Sequence, residues 1–267
     1  MHKLKALYLV CFHVESDVLP YAFLQQVPNI QKLAVSCSSF TEIFCFQRPD
    51  VVYTELLSHL KVLTLDLLME LVSIGLEHSW VEPLIKNLET LEIARCFHLR
   101  NIAASTVCFS NLMHLFVSDC NGLVNLFTSS TAKSLARLKT MNIICCESIQ
   151  EIVSHEGDAS YEDQKIIFEE LQALYLKDLH ELKCFYSGNF TLCFPSLEHV
   201  FVINCHKMET FCPGTINADK LLGVKFHDNS DAVPLEIDVN STIQKEFLAQ
   251  VCFNFSFSFS EDRNFSV

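Results

Sequence analysis

The sequence lacks the residue patterns that mark phosphate-binding, zinc-binding and membrane-spanning proteins. Only six of its 267 residues are glycine, and none of them opens a G-x-x-x-x-G-K-[ST] phosphate loop. None of its thirteen cysteines stands in a Cys-x-x-Cys pair, the strongest sequence signature of zinc. The chain also has no run of apolar residues as long as the roughly 18 that a transmembrane helix needs. A P-loop nucleotide site, a structural zinc and a membrane span are therefore not predicted.

Basic residues are also scarce. Lysine and arginine number 19 against 32 aspartates and glutamates, which gives a formal net charge of −13. This balance argues against a nucleic-acid partner held through phosphate contacts, and it weakly favours basic partners. Half of the residues are hydrophobic and 22 are phenylalanine, so the chain can bury a large core.

Catalytic signatures are missing as well. The sequence has no G-x-S-x-G and no H-E-x-x-H, and its eleven histidines show no metal-ligand spacing. Cys205 and His206 are adjacent, but neighbouring residues of a strand or its end point to opposite faces. The chain is therefore predicted to be non-enzymatic, with no cofactor and no metal.

What the sequence does contain is a repeat. The segment from Leu88 to Ile102 has the pattern L-x-x-L-x-I-x-x-C-x-x-L-x-x-I. Further copies begin at Leu112, Leu138, Leu171 and Leu197. The same position of the pattern holds Cys96, Cys120, Cys146 and Cys205, which we predict to be reduced, buried thiols. Weaker units begin at Leu4, Ile30, Leu60 and Leu221, and in the second of these the cysteine, Cys37, comes one residue early.

Each unit predicts a short strand followed by a looser segment that returns to the same core. One unit cannot bury both parts alone, so the units must stack. The predicted fold class is α/β: a leucine-rich repeat solenoid of about nine repeats. Its parallel sheet lies on a curved, concave face, with short helices and loops on the convex face. A helical run is expected within 127–135, after Ser and Thr capping residues. Phe109, Phe168 and Phe194 each precede the first leucine of a unit by three residues and are expected to pack between turns.

The repeats are assigned to residues 1–244, with an acidic loop insertion at 154–165. This insertion is either a solvated surface loop or a partner-contacting loop. Residues 245–267 form a tail in which Phe and Ser alternate strictly from Phe253 to Ser260. The alternation predicts either a strand that caps the last repeat or a poorly packed tail.

The cysteine-bearing repeat resembles the C-terminal repeats of plant disease resistance proteins of the coiled-coil NB-ARC leucine-rich-repeat class. The resemblance is strongest between Phe109 and Gly214 and covers only the repeat region, because the phosphate loop and coiled-coil heptads of that family are missing. A fragment of a longer receptor and a truncated paralogue both stay open. The resemblance implies a cytoplasmic protein, with the nucleus and the membrane periphery as alternatives.

The resemblance also implies a role in plant defence, by recognition of a pathogen effector or a modified host protein. The expected partner is an effector, a guarded host protein or the nucleotide-binding module of a parent receptor. Residues between the second and third core positions should project from the concave face, and aromatic residues there are candidate binding anchors. The predicted partner-binding residues are Tyr8, Glu92, Phe116, Ile144, Tyr175, Phe201 and Ile203.

Two other functions are alternatives. A substrate-selecting adaptor of a ubiquitin ligase also uses cysteine-containing repeats, but it needs an F-box-like helical segment before them, and the units here begin at Leu4. An extracellular receptor domain needs a signal peptide and paired disulfide caps, and neither is evident in the sequence.

Overall fold

The structure is a computed structural model of the 267-residue chain. It describes residues 4–12, 17–20, 24–44, 58–75, 85–104, 107–156 and 165–261, and for residues 252–261 it describes the backbone only. All structural statements below concern these residues.

Short strands dominate the structure. The strands are β1 (Ala6–Val10), β2 (Lys32–Ser36), β3 (Val62–Asp66), β4 (Thr90–Ala94), β5 (His114–Ser118), β6 (Phe127–Thr128), β7 (Thr140–Ile144), β8 (Glu151–Ser154), β9 (Lys165–Ile167), β10 (Ala173–Lys177), β11 (Cys184–Tyr186), β12 (Thr191–Cys193), β13 (His199–Ile203), β14 (Ile216–Asn217), β15 (Gly223–Lys225) and β16 (Val233–Pro234). Two helices lie entirely within the described residues, α1 (Ser129–Ala132) and α2 (Val239–Glu261).

The main sheet runs the length of the molecule. Its strand order is β1-β2-β3-β4-β5-β7-β10-β13-β15-β16, and every neighbouring pair is parallel except β15 and β16. In a typical strand such as β4, Leu91 and Ile93 are buried while the residues between and beside them are only half-buried. The strands therefore alternate between a core face and an outer face. The nine parallel strands match the nine predicted units, and the predicted leucine-rich repeat solenoid is confirmed.

Eight of the nine parallel strands of the main sheet are followed by a residue with a left-handed backbone. The φ values lie between 50° and 54° at Cys11, Cys37, Leu67, Arg95, Asp119, Cys145, Asp178 and Asn204. In the first seven of these, the N–H group of the left-handed residue donates to the carbonyl oxygen that ends the next strand, as from Arg95 to Ser118 at 2.9 Å. The left-handed turn thus extends the hydrogen-bond ladder by one residue while the chain leaves the sheet.

The repeat cysteine follows this turn residue and points into the core. The thiols of Cys96, Cys120 and Cys146 donate to the carbonyl two residues before them, at 3.4, 3.2 and 3.4 Å. In the second unit this contact is made by Ser38, whose hydroxyl donates to Ser36 at 3.0 Å. The prediction that Cys37 is the repeat cysteine of that unit is therefore wrong. Cysteine and serine are similar in size and both donate a hydrogen bond, so either fills the position.

The other sides of the solenoid contain short strands more than helices. One three-stranded sheet has the order β11-β8-β6 and another has the order β14-β12-β9, with parallel pairs throughout. The four-residue helix α1 follows Thr128, whose hydroxyl accepts from the N–H of Thr131. This short helix lies within the predicted helical run, and Thr128 is its N-cap.

Phenylalanine rings connect successive turns inside the core. The rings of Phe168 and Phe194 stack with centroids 5.1 Å apart, and those of Phe185 and Phe211 stack at 4.7 Å. Phe109 meets Phe127 edge to face at 5.9 Å. The prediction that Phe109, Phe168 and Phe194 pack between turns is confirmed, and each of these three rings is fully buried.

The C-terminal end of the core is covered by α2. Asp238 precedes the helix and accepts from the N–H of Ser241 at 2.7 Å, while Val239 and Ile243 are buried. The backbone of this helix continues through the Phe/Ser alternation, for which a capping strand was one of the two predicted alternatives. Once its first turns are fixed by a cap and by burial, each further residue adds a backbone hydrogen bond at little cost. The predicted boundary at residue 244 falls inside α2 and stays a prediction.

The acidic insertion lies between two strands. Ser154 ends β8 and Lys165 begins β9, while residues 157–164 lie outside the described part of the chain. At its start, the Glu156 carboxylate accepts from the hydroxyl of Ser130 at 2.6 Å. Whether the insertion contacts a partner stays a prediction. Neither of the helices described above is long and apolar enough to cross a membrane.

Candidate protein-binding face

One row of side chains crosses the whole outer face of the main sheet. The parallel register places in it Tyr8, Ala34, Thr64, Glu92, Phe116, Asn142, Tyr175, Phe201 and Lys225. We call this set the central row. Neighbouring members are separated by about 4.8 Å, the spacing of strands in a sheet. Five of the seven predicted partner-binding residues lie in the central row. Ile144 lies in the row that ends the strands, beside Lys177.

The N-terminal part of the outer face combines apolar and acidic groups. Tyr8 is 59 % exposed, and the ammonium of Lys32 lies 5.5 Å from its ring centroid. Further along the row, the hydroxyl of Thr64 donates to the Glu92 carboxylate at 2.9 Å. The predicted site residues Tyr8 and Glu92 are thus accessible side chains on the same face.

The C-terminal part of the outer face is aromatic and basic. The rings of Tyr175 and Phe201 lie 5.1 Å apart, and the ammonium of Lys225 lies 5.8 Å from the Phe201 ring centroid. The imidazole of His199 also lies near this ring, at 6.5 Å between centroids. Half-buried aromatic side chains with cationic neighbours are typical anchors of protein interfaces.

The segment 227–232, which we call the strap, joins β15 to β16 and is fixed to this face. The Asp228 carboxylate accepts from the hydroxyl of Tyr175 at 3.2 Å and from the ammonium of Lys177 at 2.6 Å. Because β13 separates β15 from β10, a contact between Asp228 and β10 requires the strap to cross the end of β13. Beside the strap lies a cavity of about 370 Å³ lined by Phe201, Lys225 and Leu222, among others.

One predicted binding residue is inaccessible. Ile203 ends β13, pairs in register with Lys177 and is only 2 % exposed. The prediction that Ile203 projects from the face as an accessible anchor is therefore wrong. No strand pattern in the sequence indicated the strap, since it depends on a contact between residues 51 and 53 positions apart.

The ion pair of the strap shifts the pKa of both partners. The hydrogen bond from Lys177 lowers the pKa of the Asp228 carboxyl, and the same bond raises the pKa of the Lys177 ammonium. Burial raises the pKa of the Tyr175 phenol. The contribution of Asp228 to holding the strap is therefore complete above the ordinary aspartate pKa and is lost as the pH falls through its lowered value.

The described cysteines are free thiols with contrasting environments. Cys11 is exposed, whereas Cys205 is buried, and burial raises its pKa to about 12. Neighbouring thiols, first Cys146 and then Cys96, raise the pKa of Cys120. Within the described part of the chain, no three His, Cys, Asp or Glu side chains are grouped so that they could hold a metal ion.

Thiol labelling is expected to separate these cysteines. At about pH 8, iodoacetamide should modify Cys11 readily and leave Cys120 and Cys205 unmodified, because the thiolate is the reactive form and these two thiols stay protonated. Because folding raises the pKa of Cys205, its stabilising contribution is complete below the unfolded thiol pKa and is lost as the pH rises toward about 12. Mass spectrometry of peptides after timed labelling measures the order in which the cysteines are modified. Labelling of Cys205 in the folded chain as fast as Cys11 would contradict the burial.

A protein-family model matches part of the repeats. Residues 101–222 match the model of plant disease resistance protein RPS2-like leucine-rich repeats. The matched segment begins near the end of the fourth unit and includes Phe116, Tyr175 and Phe201 of the central row.

Individual proteins of Arabidopsis thaliana match as well. The chain is 29 % identical over 188 residues to disease resistance protein RPS5, which covers 58 % of this chain and 21 % of that protein. It is 37 % identical over 110 residues to probable disease resistance protein At1g12290, covering 41 % of this chain and 12 % of that protein. Probable disease resistance protein At4g14610 matches at 29 % over 165 residues, or 58 % of this chain and 22 % of that protein. The chain thus spans about a fifth or less of the length of these relatives.

Proposed function

We propose that this chain is a protein-recognition module that acts in plant immunity, because residues 101–222 match the model of plant disease resistance protein RPS2-like leucine-rich repeats. It recognises its partner through the outer face of the main sheet, without catalysis. The partner is a pathogen effector, a modified host protein or the nucleotide-binding module of a parent receptor. Recognition takes place in the cytoplasm.

The observation that carries this proposal is the central row. A regular ladder brings Tyr8, Phe116, Tyr175 and Phe201 onto the outer face of the main sheet, although they are widely separated in sequence. None of these side chains belongs to the buried core, so each can contribute contact area to a partner. Aromatic side chains contribute strongly to protein interfaces because they bury large areas with few rotatable bonds.

A stacked sheet suits recognition for a second reason. The backbone of each strand is held by its two neighbours, so the row is already ordered before a partner arrives. A preorganised surface loses less conformational entropy on binding than a flexible one. The apolar side chains that form the core point to the opposite face of each strand, as Leu115 and Val117 do in β5. Side chains on the outer face can therefore differ without changing the core.

Site-specific photo-crosslinking tests the proposal. The photoreactive residue p-benzoylphenylalanine replaces Phe116 in the central row or, as a matched control, Ile167, which is 37 % exposed on the separate sheet of β9. The chain is expressed in plant leaf cells with and without a bacterial pathogen, and the cells are illuminated. The Phe116 position is expected to give a discrete protein adduct that the Ile167 position does not give.

The identity of the adduct decides between the candidate functions. An effector, a host protein or a nucleotide-binding module supports immune recognition, whereas a ubiquitin-ligase subunit or substrate supports the adaptor function. Equal adducts from both positions, or none from Phe116, would show that the outer face of the main sheet is not the recognition surface.

A further inference from the structure

The charges on the outer face of the main sheet are segregated. The strands near its N-terminal end carry the acidic side chains Asp66 and Glu92 on this face, together with one lysine, Lys32. From β7 to β15, by contrast, the outer-face positions within the described strands carry Lys177, Lys225 and the imidazole of His199, and no carboxylate. A chain of net charge −13 thus presents a basic region at one end of its outer face.

This basic region already binds a carboxylate, which belongs to the chain itself. Asp228 receives one hydrogen bond from the Tyr175 phenol and a charge-assisted one from the Lys177 ammonium, at 3.2 and 2.6 Å. Both donors stand on one strand, β10, two positions apart, so they point to the same face and converge on one anion. A neutral and a charged donor at this spacing form a carboxylate-binding site.

An apolar subsite lies next to this carboxylate. The cavity of about 370 Å³ beside the strap is lined by the ring of Phe201 and the side chain of Leu222, which is 83 % exposed. The Phe201 ring also contacts the Tyr175 ring that holds Asp228. A ligand with a carboxylate next to an aromatic or aliphatic group can therefore reach both subsites at once.

We propose that the Tyr175–Lys177 pair is a binding site for an acidic side chain of the protein partner, and that Asp228 occupies it as an internal competitor until the partner arrives. The proposal rests on the recognition function proposed above and specifies its partner: a segment with a glutamate or aspartate beside an apolar residue. When the partner binds, its carboxylate replaces that of Asp228, and the strap leaves the end of β13.

A pair of dipeptides tests the site directly. N-acetyl-Phe-Glu-amide is the probe and N-acetyl-Phe-Gln-amide is its uncharged control, each titrated into the full chain at millimolar concentration and followed by NMR. The wild-type chain should bind the glutamate probe weakly, because its own carboxylate blocks the site for most of the time. Asp228→Ala should bind this probe about tenfold more tightly, because the competent site is then always free.

Matched variants separate the site from a general charge effect. Glu209→Ala removes an exposed acidic group that belongs neither to the strap nor to the cavity, and it should leave the affinity within about twofold of the wild-type value. Adding Lys177→Gln to Asp228→Ala should abolish the gain. Asp228→Asn, which keeps the size of the side chain, should reproduce the gain if the alanine variant is poorly folded.

The outcomes are distinct. Equal affinities for the glutamate and glutamine probes, an unchanged affinity in both Asp228 variants, or no binding to any variant would overturn the carboxylate site. Because the probe is a small molecule, selective binding with no crosslinked protein at Phe116 would refute the recognition function while leaving the site intact. A crosslinked partner at Phe116, together with equal binding of the glutamate and glutamine probes, would refute the carboxylate site while leaving the recognition function intact.

Discussion

Replacement of Phe194 by alanine is expected to cost about 3–5 kcal/mol of folding free energy, the usual cost of removing a buried aromatic ring. The Phe194 side chain is fully buried and stacks on Phe168 from the preceding turn at 5.1 Å. It also meets the rings of Phe185 and Phe211 edge to face, each at 5.9 Å. Since these neighbours are themselves fully buried, they cannot easily collapse into the cavity that the alanine leaves. Urea unfolding followed by circular dichroism measures the loss.

Leu222→Ala is the control for this experiment. Leu222 is 83 % exposed, so its truncation should change the free energy of unfolding by less than about 0.5 kcal/mol. A loss below about 1 kcal/mol for Phe194→Ala would show that the rings do not form a tightly packed core. The variant should also expose amides on both sides of the affected turn, because each turn of a solenoid is stabilised by its neighbours.

The second large effect is expected at Asn240, near the start of α2. Its side-chain oxygen accepts from the N–H groups of Phe211 and Cys212 at 2.9 and 3.1 Å and from the hydroxyl of Thr210 at 3.0 Å. Its side-chain nitrogen donates to the carbonyl of Cys212 at 2.8 Å. Asn240→Leu leaves these groups without their partner and should cost about 3 kcal/mol. Hydrogen exchange should show the amides of α2 losing protection before those of the main sheet.

Asn240→Asp provides the matched comparison. An aspartate keeps the accepting oxygen and loses only the donation to Cys212, so its loss should be smaller than that of the leucine variant. Equal losses for the two variants would contradict the role of the accepting oxygen.

The main sheet could be predicted from the sequence because its determinants are local. The alternation around Leu91 and Ile93 fixes which face of a strand is buried, and repetition of the same spacing fixes which residues of successive strands are neighbours. The central row follows from these two facts alone. The sequence alone is therefore sufficient to place Tyr175 and Phe201 in this row.

The features that could not be predicted depend on distant contacts or on chemical equivalence. Ile203 has the pattern of an outer-face residue, yet its side chain is only 2 % exposed. The strap, which Asp228 fixes to Tyr175 and Lys177, lies in a segment with no repeat signal. Ser38 replaces a cysteine because the position requires a small donor, a property that a search for cysteine misses. In the C-terminal segment a period of two indicated a strand, yet capping by Asp238 began a helix upstream that continues through it.

The left-handed residues at the strand ends have a consequence for how the surface can vary. Their conformation disfavours most side chains, yet the column contains residues as different as Leu67, Arg95 and Asp178. Each is held through its backbone N–H, at 2.9–3.0 Å from a carbonyl of the next turn, so the fold does not depend on what the side chain is. Arg95 binds the Asp66 carboxylate through two hydrogen bonds, while Asp178 accepts from Asn204. The backbone contacts along this edge of the solenoid therefore accommodate chemically different side chains while the main sheet stays the same.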